Sequence, residues 1–145
     1  MRVRVAGRST VAGTTLRAIA SVFAIAAKGF RLREFGVFNT TSTAVAVALV
    51  RFTNATGVGT GLTEMPEDPT IDGTPQMTAF AGHTGDGAVS AAIAQFTLGA
   101  AAGSGIVIPF GENGLVVPVG AANGIGIICP VGAGQILDFW YAWDE

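Results

Sequence analysis

Charged residues are scarce in this chain of 145 residues: 12% are Asp, Glu, Lys or Arg, against about 25% in ordinary globular domains. Half of the residues (50%) are hydrophobic, which excludes bulk disorder. So few charges cannot cover a monomer's surface, which points to surface hidden in an assembly. Cysteine is nearly absent. The single Cys129 excludes an intrachain disulfide framework, and within the strand-like run Gly124 to Pro130 it reads as a small buried hydrophobe. Histidine is also single, so His83 and Cys129 cannot close a zinc site within one chain. No apolar run approaches the ~20 residues of a membrane helix. The nearest, Ala18 to Ala27, follows Arg2, Arg4 and Arg8 in the outline of a signal-peptide core, but is read as part of the fold.

Basic residues are missing altogether after position 51. Residues 1 to 51 hold all eight bases and one acid, Glu34, a formal +7; residues 52 to 145 hold nine acids and no base, a formal -9. Such asymmetry marks either a basic arm seeking an acidic partner or two halves that neutralise each other. The second reading is preferred, because antiparallel sheets pair early strands with late ones. A net basic domain would be expected of a nucleic-acid binder, whereas the pI here is about 5.3; direct nucleic-acid binding is not expected, and neither is a membrane partner.

What the chain has in quantity is glycine (21) and proline (six), punctuating short segments rich in Val, Ile, Thr and Phe. This is the rhythm of an all-β domain. The expectation is one antiparallel β-sandwich domain of jelly-roll type over residues 1–145, with residues 1–15 as an extended N-terminal arm. Strands are expected at Arg2 to Ala6, Arg17 to Ala26, Phe30 to Phe38, Thr43 to Thr53, Gln76 to Phe80, Val89 to Leu98, Gly105 to Phe110, Leu115 to Val119, Asn123 to Cys129 and Gln135 to Trp143. Alternation sets Ile19, Ser21, Phe23 and Ile25 against Ala18, Ala20, Val22, Ala24 and Ala26, and Val45, Val47 and Leu49 against Ala44, Ala46 and Ala48. The bulky faces are expected in the core and the alanine faces against another sheet or subunit; an Ala-rich helix is the competing reading for Arg17 to Lys28 and for Thr43 to Thr53. In the last strand Leu137, Phe139, Tyr141 and Trp143 form a core face. Asn54 to Gln76, with its prolines and carboxylates, reads as a long loop.

Motifs that carry chemistry are few and incomplete. Gly57-Val58-Gly59-Thr60-Gly61 lacks the following helix and the lysine of a phosphate loop. His83 reads as part of an exposed turn, not paired with Asp86, and Ser104 lacks the spacing of a nucleophile elbow. Glu64, Glu67, Asp68 and Asp72 read as an acidic surface loop rather than a calcium site. No pair of carboxylates stands out for glycoside hydrolysis. Asn39-Thr40-Thr41 and Asn54-Ala55-Thr56 match the glycan acceptor pattern but read as turn or strand-end chemistry. No enzyme activity, metal or cofactor is expected.

The run Arg31-Leu32-Arg33-Glu34-Phe35-Gly36-Val37-Phe38-Asn39-Thr40-Thr41, the strand Thr43 to Arg51, Gly61-Leu62-Thr63-Glu64, and the ending Ala122-Asn123-Gly124-Ile125-Gly126-Ile127 through Gly134-Gln135-Ile136-Leu137-Asp138-Phe139 to Trp143-Asp144-Glu145 resemble small proteins encoded among tailed-phage structural genes. The resemblance spans residues 30 to 145. In size, strand rhythm and low charge the chain also resembles the small jelly-roll-like cement or decoration proteins of phage heads. This implies a virion component on the capsid surface that binds the major capsid protein, assembles with itself as a trimer, and stabilises the shell without catalysis. The first thirty residues depart from the pattern. There Arg2, Arg4 and Arg8 are expected to contact an acidic capsid surface from an arm that can be removed without loss of the fold. The alternatives are a tail, neck or receptor-binding virion protein and a carbohydrate-binding β-sandwich module.

Overall fold

The computed structural model describes residues 1–54, 59–70 and 73–145. Among them there is no helix, and the strands are β1 (Arg2–Arg8), β2 (Ala20–Phe23), β3 (Phe30–Asn39), β4 (Val45–Phe52), β5 (Thr60–Gly61), β6 (Met65–Pro66), β7 (Thr78–Ala81), β8 (Ala94–Leu98), β9 (Gly105–Pro109), β10 (Leu115–Val117), β11 (Gly124–Ile128) and β12 (Leu137–Asp144). One sheet runs β10-β3-β12-β1-β6, with β9 also on β3; the other runs β5-β7-β2-β11-β4-β8.

The pairing is nested. β1 pairs β12, β2 pairs β11, β3 pairs β9 and β10, and β4 pairs β8, all antiparallel. A single long ribbon of paired strands, alternating between two sheets as it rolls up, is the jelly-roll sandwich expected from the strand rhythm. Nesting also accounts for the charge polarity, since it sets the basic first strand beside the acidic last one.

Each expected strand overlaps an observed one; β1, β3, β7 and β12 run one or two residues past the expected end, and two spans are narrowed. The span Arg17 to Ala26 keeps only β2, because Leu16 and Arg17 donate backbone N–H groups to Thr14 Oγ1 in a turn before it and Ile25 bridges Lys28 after it. The span Val89 to Leu98 keeps only β8. In the long acidic loop, Met65–Pro66 and Thr60–Gly61 form two-residue edge strands, and Pro66, which cannot donate, sits at the sheet margin beside Val3.

The core between the sheets takes Val3, Val5, Leu137, Phe139, Tyr141 and Trp143 from one layer and Val45, Val47, Leu49, Ile125 and Ile127 from the other. Tyr141 Oη donates to Ala20 O across the layers at 3.0 Å. In β3 the inward positions switch from Phe30 and Leu32 to Phe35 and Val37. The register with β12 slips by one residue here, with Arg33 as the extra residue, a β-bulge that keeps both apolar pairs inside.

Along β2 the expected faces are exchanged. Ala20, Val22 and Ala24 face the main core, whereas Phe23 belongs to a second cluster with Ala18, Ala48, Val50, Phe52 and Ile128. That cluster lies on the outer side of its sheet, and Phe80 and Val89 pack against it. The chain covers it with its own segment 82–93, tied down by bonds from Gly87 N to Leu16 O, Ser90 N to Arg51 O and Ile93 N to Leu49 O. Alternation alone misassigns β2 because both of its faces are apolar and both are buried. On β4, Ala48 is buried in this way without another subunit, while Ala44 remains exposed.

Candidate functional site

Arg2, Arg4 and Arg8 alternate in β1 with Val3 and Val5, so the valines enter the core and the guanidinium groups share the outer face of the sheet. The segment read as an arm is therefore, over Arg2–Arg8, a strand with seven residues in register against β12. Its removal opens the core, which corrects the expectation that residues 1 to 9 are separable from the fold. Each arginine meets a carboxylate from the later part of the chain: Arg2 Nε lies 3.0 Å from Asp144, Arg4 3.1 Å from Glu67, and Arg8 2.6 Å from Asp138. Arg17 meets Asp86 at 2.6 Å, and Arg33 shares Asp144. Among the described residues, five of the eight early bases thus pair with later acids within the fold.

The bond from Arg8 holds the Asp138 carboxyl below the usual carboxylate range. Partial burial acts against the charge on Asp144, but the bonds from Arg2 and Arg33 outweigh it and lower that pKa too. Arg33 also donates to the carbonyls of Gly111 and Glu112, an aim it owes to the bulge. Together Arg2, Arg4 and Arg33 with Glu34, Glu67 and Glu112 rim a shallow depression of about 370 Å³ floored by Pro109 and Ala142. Three cations and three carboxylates at one rim do not select an ion of either sign. Such pairs are exposed and worth little to stability; their use lies in setting orientation against a partner with its own mixed charges.

The two tryptophans part company. Trp143 is buried in the core, while Trp140 is on the outer face, packed on Gly36 with the Arg4 guanidinium 5.0 Å from its ring centroid. The arginine takes the place that a sugar ring would occupy on that side.

His83 is not in an exposed turn. It is 2% exposed, with Nε2 2.6 Å from Ser21 Oγ, and its ring lies among Phe23, Phe52 and Phe80. Nδ1 has no hydrogen-bond partner among the described residues. Burial among these rings lowers the imidazole pKa to about 4, so it is neutral at pH 7. The sequence held one sign of this pair: Ser21 is a lone hydroxyl in an apolar strand, and a buried hydroxyl needs a partner.

The other candidates are placed apart. Asp86 is held by Arg17 and not by His83. Ser104 Oγ accepts from Gly99 N inside its own loop. Glu64 accepts from Ala79 N, Glu67 pairs with Arg4, and Asp68 caps Thr70, so these three acids serve separate ends. Asp72, Gly57, Val58 and the Ala55-Thr56 part of the second glycan pattern lie outside the described residues. Asn39 is buried, its amide donating to Thr43 O and Gly99 O and accepting from Thr41, which is the strand-end chemistry expected. Cys129 is buried, and burial pushes its thiol pKa up, as befits an inert core residue. Among the described residues no three His, Cys, Asp or Glu side chains group to hold a metal. No protein-family model matches the chain, and no curated protein matches its sequence.

Proposed function

We propose that this chain is a non-enzymatic virion structural protein, a capsid decoration or cement protein that binds the outside of a viral shell, contacts the major capsid protein and associates with further copies of itself. The observation that carries the reading is the self-neutralised face of β1 and β12. Arg2, Arg4 and Arg8 form a row on the sheet face in which each cation is held by a carboxylate. A row of that kind reads the register of a neighbouring surface without binding indiscriminately to polyanions, and a jelly-roll sandwich is a rigid body on which to carry it. Apolar burial supplies the affinity, at ~25 cal/mol per Å², offset by the entropy of association. The capsid contact is assigned to the outer face bearing Arg2, Arg4 and Arg8, not to a detached arm.

The test is copy number and occupancy. Quantitative mass spectrometry of purified particles is expected to find the protein in shell-like abundance, and shells lacking it are expected to take up the purified full chain. Arg4→Glu, which opposes Glu67 with a like charge on the exposed face, is expected to lower occupancy while the thermal transition of the isolated protein is kept. A few copies per particle would place the protein at the neck or tail instead, and occupancy unchanged by Arg4→Glu would remove this face from the contact.

A further inference from the structure

Charges are sparse in one stretch of the chain. From Gly87 to Leu137, 51 residues carry a single charged side chain, Glu112, while the remaining 94 carry seventeen. Within it β8 and β9 build one side of the sandwich, whereas β11 lies inside its sheet between β2 and β4 and Arg31, Arg33 and Arg51 reach the segment 111–116. β8 ends one sheet beyond β4, β9 ends the other beyond β3, and among the described residues each pairs with a single neighbouring strand. The short connection between them is held to the end of β3 by Asn39, whose N–H donates to Ser104 O at 2.7 Å and whose side-chain amide donates to Gly99 O at 2.9 Å. The two open edges therefore lie one above the other.

Natural sheets guard open edges with lysines, inward charges, bulges or very short strands. β8 and β9 have five residues each, unbroken registers and no charge; Pro109 closes β9 at one end only. Nor is the core sealed here. Phe96, Ile106 and Ile108 point inward yet are only half-buried, whereas Val3, Val5, Phe139 and Tyr141 are fully covered. Of the eight large apolar residues exposed among the described residues, five (Ile93, Val107, Val116, Val119 and Val131) belong to this charge-poor stretch.

We propose that this side is a self-association surface, joined edge to edge to the same side of a second copy by antiparallel β8–β8 and β9–β9 pairing about one two-fold axis perpendicular to the sheets. Two arguments select a second copy as the occupant. A single extended peptide lengthens one sheet only. An occupant of both edges must itself present two uncharged strands stacked ~10 Å apart, and another copy does so by construction. The two-fold operation also lays a neutral face on a neutral face, so no like charges oppose each other across the paired strands. The inference rests on the proposed shell-binding role for its purpose and names the partner through which copies join.

The experiment uses the full chain. Light scattering and sedimentation are expected to give twice the chain mass of 14.6 kDa, a two-fold pair in place of the trimer that the resemblance implies. The double variant Thr97→Lys with Val107→Lys places a cation on each exposed edge; it is expected to raise the dissociation constant roughly a hundredfold or more, returning the protein to one chain mass. Met65→Lys, on the opposite margin of the molecule, is expected to leave the mass unchanged. Hydrogen exchange of the wild-type protein supplies a readout that needs no variant, with the outward amides of β8 and β9 protected in the pair. A wild-type protein that stays at one chain mass near ~100 µM, an oligomer indifferent to both lysines, or outward amides that exchange as fast as loops would overturn the proposal. Shell uptake is scored separately: a pair that ignores shells refutes the shell reading alone, and a monomer that decorates them refutes the pairing alone.

Discussion

Acidification reaches one interior group before any other, the His83 imidazole enclosed by Phe23, Phe52 and Phe80. Its pKa falls from an ordinary 6.5 to about 4 in the folded protein. The unfolded chain therefore takes up a proton at a pH where the folded chain does not. The sign follows from linkage: the contribution is complete above 6.5, declines as pH falls towards 4, and is flat below that. At roughly 1.4 kcal/mol per pKa unit, the loss amounts to about 3 kcal/mol, a large part of the ~5 to 15 kcal/mol that holds a domain together. Among the described residues no carboxylate offsets it. Ser21 is the neighbour from β2, the β4 and β7 neighbours are phenylalanines, and Asp86 on the same turn is engaged by Arg17. Urea unfolding at a series of pH values between about 7.5 and 4.5, with His83→Gln as the non-titrating reference, isolates the effect. Asp138 and Asp144, whose pKa values are lowered, lose their contributions at still lower pH and do so in both proteins. The wild-type curve is expected to fall relative to the variant by about 2.5 kcal/mol across this range, the remainder following below about pH 4.5. Parallel curves, or an imidazole that titrates near 6.5 by NMR, would refute the reasoning.

Other perturbations follow from the packing. Tyr141→Phe removes the bond to Ala20 O that joins the two sheets, with an expected loss of about 0.5 to 1.5 kcal/mol in urea titrations. Gly36→Ala sets a Cβ 2.1 Å from Trp140 Nε1, so the indole must leave Gly36; an expected cost of about 1 to 3 kcal/mol and a red-shifted tryptophan emission report it. Deleting residues 1–9 strips β12 of a seven-residue partner and the core of Val3 and Val5, and circular dichroism is expected to show loss of the cooperative transition.

How much of this was legible in the sequence depends on how each signal arises. Strands with one polar face were readable: β1 and β12 alternate cleanly, and Leu137, Phe139, Tyr141 and Trp143 lie where the pattern sets them. β2 was not, because a strand buried on both sides offers no contrast between faces. The bulge at Arg33 hid for a related reason, since one extra residue turns two short alternations into what reads as an irregular run. The neutralisation of early bases by late acids was readable from charge order once antiparallel pairing was assumed, but the pairing of Arg2, Arg4 and Arg8 with Asp144, Glu67 and Asp138 required the nested topology. His83 was missed because a glycine-flanked histidine looks like a turn residue, and its partner Ser21 lies 62 positions away.

The nested ribbon has a kinetic corollary. Its outermost rung joins Arg2 to Asp144, so β1 leaves the ribosome about 140 residues before the strand it must pair with. Loop closure across so long a separation is slow. Until β12 follows, β1 offers an unmatched row of amides beside Val3 and Val5, and the nascent polypeptide is sticky over that interval. High-level expression should accordingly favour slow translation, low temperature or a holdase that shields β1 until β12 arrives.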